Sequence, residues 1–177
     1  MKRLLFVLSL VCIGPLLMAQ AKDFRSPGYK GSLSLTDQMG VFAGVETSHG
    51  FMLNRSVYLG AGAGAFMFPN GSDYPAFAHA FLDYGAYVLD RKSTPFSGLK
   101  AGFMHAVGFG KKVGGFEHSY TFENGLFFEP SFGWNWMFKS GYGFTIAASA
   151  DIIVPVGKNK GVSPNMVIPK VSFTFEF

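Results

Sequence analysis

Between residues 125 and 138 the chain reads GLFFEPSFGWNWMF, and every second side chain is apolar: Leu126, Phe128, Pro130, Phe132, Trp134, Trp136 and Phe138. Glu129, Ser131, Gly133 and Asn135 occupy the other face, and only Phe127 and Met137, near the ends, break the alternation. A period of two is the period of a β-strand. It recurs over 142–154, where Tyr142, Phe144, Ile146, Ala148, Ala150, Ile152 and Val154 oppose Gly143, Thr145, Ala147, Ser149 and Asp151. It recurs again at the end of the chain, where Val171, Phe173, Phe175 and Phe177 oppose Lys170, Ser172, Thr174 and Glu176. The pattern predicts eight strands over 29–36, 41–53, 57–67, 76–89, 96–109, 125–138, 142–154 and 168–177. No stretch after residue 21 sustains a helical period.

The polar faces are built of small residues and single charges, as if they lined a narrow space, and the apolar faces are rich in aromatics. A soluble sandwich of the same period would carry its charges on the exposed face. Strands of about 9–11 residues, apolar outside and polar inside, match a tilted strand crossing the hydrocarbon of a bilayer. The connections alternate in length. Asn54-Arg55-Ser56, 90–94 (DRKST) and Lys139-Ser140-Gly141 are tight turns, 68–75, 110–124 and 155–167 are long loops, and 37–40 is a short fourth loop on their side. Short turns at one end and longer loops at the other are the pattern of an outer-membrane barrel. The reading is therefore an all-β, eight-stranded, antiparallel, up-and-down transmembrane β-barrel, with an even strand number that puts both termini in the periplasm.

Composition agrees: 21 Phe, 7 Tyr and 23 Gly, with 15% charged residues. The first residues are of another kind. Met1-Lys2-Arg3, the short apolar run LLFVLSLVCIGPLLMA and Ala19-Gln20-Ala21 read as a secretory signal peptide over 1–21, leaving 22–177 as the barrel domain. The single cysteine, Cys12, lies in that segment, so the mature chain has no disulfide or thiolate chemistry. Loss of Lys2 and Arg3 lowers Lys+Arg from 15 to 13 against 11 Asp+Glu, a net charge of +2 that gives no reason to expect a nucleic-acid partner.

Together, TSHG at 47–50, LGAGAG at 59–64, PFSGLKAG at 95–102 and the aromatic last strand resemble the small eight-stranded outer-membrane barrels common in Bacteroides-type bacteria, similar in architecture to the OmpA transmembrane domain and OmpX. The resemblance implies a fold and a compartment, the outer membrane, and carries no catalytic signature. It also implies that the last strand, ending in Phe177 with Phe175 and Phe173 on the same face, is the signal read by the barrel assembly machinery. Outer-membrane lipid, lipopolysaccharide included, is the other expected partner of what would be a monomer.

Candidate chemistry is sparse. Gly60, Gly62 and Gly64 lack the helix and acidic residue of a dinucleotide fingerprint and instead leave room for bulky neighbours such as Phe77, Phe81 and Tyr87 in a narrow lumen. The charges expected inside are Lys30, Glu46, Asp83, Lys100, Glu129, Asp151, Lys170 and Glu176, which must be paired or hydrated. Read as a plugging network they imply a filled lumen; read as a path they imply a narrow ion or small-solute channel. No His/Cys/Asp spacing suggests a metal, and no cofactor is expected. Lipid A-modifying barrel enzymes suggest Ser48-His49, His105 and Glu117-His118-Ser119 as candidates, although neighbours on a strand such as Ser48 and His49 should face opposite ways. Loop residues Lys111, Lys112, Phe116, His118 and Tyr120 are candidates for contact with an extracellular ligand. The outward Trp134, Trp136, Phe138 and Tyr142 form an interfacial girdle. The expected role is non-enzymatic, envelope-structural or surface-interacting, and a soluble lipocalin-like carrier is the reading outside the membrane.

Overall fold

The computed structural model describes residues 24–39, 42–67, 76–107, 112–113, 116–117, 124–138, 140–156 and 166–177. Each alternating segment becomes one stave: β1 (Gly28–Gln38), β2 (Phe42–Met52), β3 (Val57–Met67), β4 (Ala76–Tyr87) and β5 (Ser93–Val107). After a two-residue pair, β6 (Lys112–Val113) and β7 (Phe116–Glu117), come β8 (Asn124–Met137), β9 (Gly143–Val156) and β10 (Met166–Glu176). The eight long strands close antiparallel in the order β1-β10-β9-β8-β5-β4-β3-β2, so no described stave has an open edge. Closure runs from Ser32 opposite Glu176 to Asp37 opposite Val171. Two backbone hydrogen bonds between Gly31 and Phe177, at 2.7 and 2.9 Å, extend the seam to the last residue.

One end carries the tight turns, the other the loops. At the first turn Asn54 Oδ1 accepts the backbone N–H groups of Ser56 and Val57 at 2.8 and 2.9 Å, the side-chain mimicry that makes Asn a turn former. At the third, Gly141 has φ +87°, a conformation costly for any other residue type. The second turn corrects the sequence reading: Ser93 and Thr94, expected in the turn, begin β5. The reason is local, since the Thr94 hydroxyl accepts Leu89 N–H at 2.7 Å and so tightens the turn to residues 88–92.

Alternation then sorts the side chains. Leu82 (70% exposed), Phe132 (64%) and Trp134 (42%) stand on the outer wall, far more apolar exposure than a surface facing water tolerates. On β9 and β10 that wall is an aromatic strip in which Phe144 lies 5.4 Å from Phe173 and 5.2 Å from Phe175, ring centre to ring centre. Phe127 and Met137, which broke the outward pattern, point into the barrel and are buried. Phe127 joins Phe66, Phe77, Phe81, Met104 and Ile153 in an apolar plug at the loop end, and Met52, Tyr58 and Tyr87 pack a smaller cluster at the turn end.

Candidate functional site: the lumen

Between the two apolar clusters the inward faces supply charge. Glu46 from β2, Lys100 from β5, Glu129 from β8 and Lys170 from β10 form a closed ring of alternating sign. Lys170 Nζ lies 2.8 Å from Glu46 Oε1 and 2.6 Å from Glu129 Oε2, and Lys100 pairs with Glu46 and stands 3.7 Å from Glu129. His79 Nε2 is 3.4 Å from Glu46, and Asp151, 3.4 Å from Lys170, also accepts a hydrogen bond from Gln38 at 2.6 Å. An unpaired charge at this depth is very costly, and the ring gives each of its four members two neighbours of opposite sign.

Nearer the turn end is a second node. The Glu176 carboxylate receives Lys30 Nζ at 3.0 Å, Tyr87 Oη at 3.1 Å, Thr145 Oγ1 at 2.8 Å and Asn135 Nδ2 at 3.0 Å, about the full acceptor capacity of a carboxylate. Tyr87 Oη in turn accepts from Lys30. Between node and ring lies a cavity of about 50 Å³ lined by Ser32, Ser34, Ser48, Ser131, Thr174 and Asp83 among others, polar and roomy enough for a few water molecules. Asp83 faces Lys100 across the β4–β5 pair. All eight sequence-expected charges thus lie along the lumen: Glu46, Lys100, Glu129, Asp151 and Lys170 in and around the ring, Lys30 and Glu176 in the node, and Asp83 between them.

Strand β3 makes the space for this packing. A Cβ on Gly62 would fall 2.5 Å from the Phe81 ring, and one on Gly64 would fall 2.7 Å from Glu46 Cγ and 2.8 Å from His79 Cε1. Of the three inward aromatics expected there, Phe81 lies over the glycines, Phe77 joins the loop-end plug and Tyr87 the turn-end node.

Sequence reasoning missed Arg25, which precedes β1 and is 4% exposed. Its Nη1 donates to the carbonyls of Leu89 and Arg91, both at 3.1 Å, its Nη2 donates to Asn135 Oδ1, and its guanidinium stacks 4.5 Å from the centre of the Tyr87 ring. Burial pushes its pKa down, against the pull of Tyr87, Glu176 and Asp90. No periodic signal could have found it, because Arg25 is not in a strand.

The nucleophile candidates separate. Ser48 points inward to Tyr58 Oη at 2.9 Å, whereas His49 is on the outer wall, with Tyr29 Oη 2.6 Å from Nδ1 and Thr47 Oγ1 3.0 Å from Nε2. The Thr47 hydroxyl donates to Ser32 O at 3.0 Å, so its proton points away from the imidazole, and the tautomer consistent with these bonds has no free lone pair. His105 is paired with Asn124 at 2.9 Å on the outer wall. Lys111, His118, Ser119 and Tyr120 lie outside the described residues. Lys112, Phe116 and Glu117 lie on the β6–β7 pair, for which the backbone alone is described. Among the described residues no group of three His, Cys, Asp or Glu is gathered as a metal site would need.

No family model and no curated protein matches the sequence. Solved structures do resemble the fold. The crystal structure of Neisserial surface protein A matches over 84% of this chain and 92% of its own, with a TM-score of 0.58 at 9% identity. The N-terminal β-barrel domain of Pseudomonas aeruginosa OprF matches over 84% and 96% (TM-score 0.48, 13% identity), and the outer membrane enzyme PagL over 84% and 98% (TM-score 0.49, 15% identity). At such identities the likeness is one of architecture alone, and with the closed eight-stranded order it gives this chain the fold of a small outer-membrane β-barrel.

Proposed function

We propose that the protein is a non-enzymatic outer-membrane barrel whose lumen is sealed, serving the envelope structurally or through its loops. On this reading residues 1–21 are removed as a signal, both termini and the tight turns face the periplasm, and the monomer contacts outer-membrane lipid and the barrel assembly machinery. The observation that carries the proposal is that the lumen is blocked at three successive levels: carboxylate node, charged ring and aromatic plug follow one another along its axis. An ion entering would have to part buried, mutually paired charges, at a cost of several kcal/mol. The test is planar-bilayer recording on purified, refolded protein. Silence is the expected result, and a steady single-channel current would contradict the seal.

The polar cavity between node and ring favours the second reading, a narrow path for ions or small solutes, and the same recording decides between them. Against lipid A chemistry at His49 stand its one imidazole lone pair, taken by Tyr29, and the Thr47 proton, taken by the Ser32 carbonyl. Lipid A mass profiles identical with and without the gene are expected; a lost or gained acyl chain would restore the enzymatic reading.

A further inference from the structure

Residues 24–27 do not continue the barrel. Gly28 has φ +145°, a backbone turn that only glycine makes freely, and the chain before it swings back across the turn-end mouth. Its hold on the barrel is narrow. The backbone N–H groups of Phe24 and Arg25 both donate to Asp90 Oδ1, at 3.1 and 3.2 Å, and the Arg25 side chain supplies the hydrogen bonds to Leu89 O, Arg91 O and Asn135. Ser26 and Pro27 are exposed. A cavity of about 520 Å³ lies between this segment and Met52, Met137 and Phe177 on the rim.

The receiving site is built for one chemical group. Two carbonyl oxygens from a single tight turn, an amide oxygen and an aromatic face converge on a planar cation, with a carboxylate beside it for the backbone. The two terminal nitrogens of a guanidinium meet these acceptors while its plane stacks on the ring, which the single nitrogen of an ammonium does not reproduce, and Arg25 Nε is left without a partner. Asn135, which holds Arg25, also donates to Glu176 and Thr145, so the docked cation is continuous with the node that closes the chamber.

We propose that the 88–92 turn, with Tyr87 and Asn135, is a guanidinium socket, and that Arg25 seated in it makes residues 24–27 a releasable strap over the turn-end mouth. The strap's role as a seal rests on the sealed-lumen reading; its docking does not.

Trypsin reads the docking directly, because cleavage after Arg25 requires the guanidinium to leave the socket for the protease's own specificity pocket. The mature full-length protein in detergent micelles, its fold monitored by heat-modifiable migration, is digested briefly, and cleavage between Arg25 and Ser26 is followed by mass spectrometry. The wild-type bond is expected to be cut at least about 10-fold more slowly than in Asp90→Ala, which removes the acceptor of both strap N–H groups. Arg25→Lys changes no barrel residue and keeps a tryptic site while losing the fork, so it carries the test should Asp90→Ala misfold; it too should be cut faster than wild type. A folded wild type cut as fast as these variants overturns the socket. A protected chain that conducts would overturn the sealed lumen and leave the socket standing, and an unprotected, silent chain would do the reverse.

Discussion

Glu46 touches Lys100, Lys170 and His79 at once, and its neutralisation would leave two buried ammonium groups each short of a partner. Glu46→Gln is expected to cost about 3–5 kcal/mol, read as a shift of urea unfolding in micelles. Glu46→Gln with Lys100→Gln should cost less than the two changes added, because the second removes a charge that the first orphaned. Gly62 gives a steric counterpart. Gly62→Val sets its Cβ against both the Thr47 carbonyl and the Phe81 ring and should destabilise by about 1–3 kcal/mol, with Phe81→Leu recovering only the ring's share in the same assay. At this scale the parity of each strand made the inward charges legible in the sequence. Their partners were not legible, since the ring joins β2, β5, β8 and β10, and of these only β5 and β8 are neighbours in the sheet. The distance between facing walls is a property of closure that no single strand encodes.

Strand boundaries followed the alternation closely where turn chemistry was unambiguous, as at Asn54, and least well where it was not. DRKST is rich in turn formers, yet Thr94 lies fully buried in β5 opposite Asn135, because its hydroxyl is satisfied within the turn. The C-terminal strand gives the sharper question at this scale, whether Phe177 is a structural rung, an assembly signal or both. Deleting it removes its ring and the two bonds to Gly31, an expected loss of about 1–3 kcal/mol, whereas Phe177→Ala keeps the bonds. If the residue is an assembly signal, Phe177→Ala should refold in micelles as wild type does yet show several-fold less folded protein in the cell envelope. Equal yields in both settings would reduce Phe177 to a rung.

For the molecule as a whole, what the chain shows most plainly is an inversion: apolar outside, charged within. Such an object needs an apolar surround outside and paired ions inside, and the sorting of its two faces is already visible in the alternation of residues 125–138. Function was much less legible. The same parity that reveals a lumen is silent on whether it is open, which depends on how Phe66, Phe77, Phe81 and Phe127 meet at one end and how Arg25 docks at the other. The loops that would meet a partner carry no periodic signal at all.

The central claim is that this inverted barrel is a membrane protein, and envelope fractionation followed by gel migration with and without boiling tests it most directly. The protein is expected in the outer-membrane fraction, extracted only by detergent, with a band that shifts on boiling as the closed sheet unfolds. Recovery in the soluble periplasmic fraction without detergent would contradict the account.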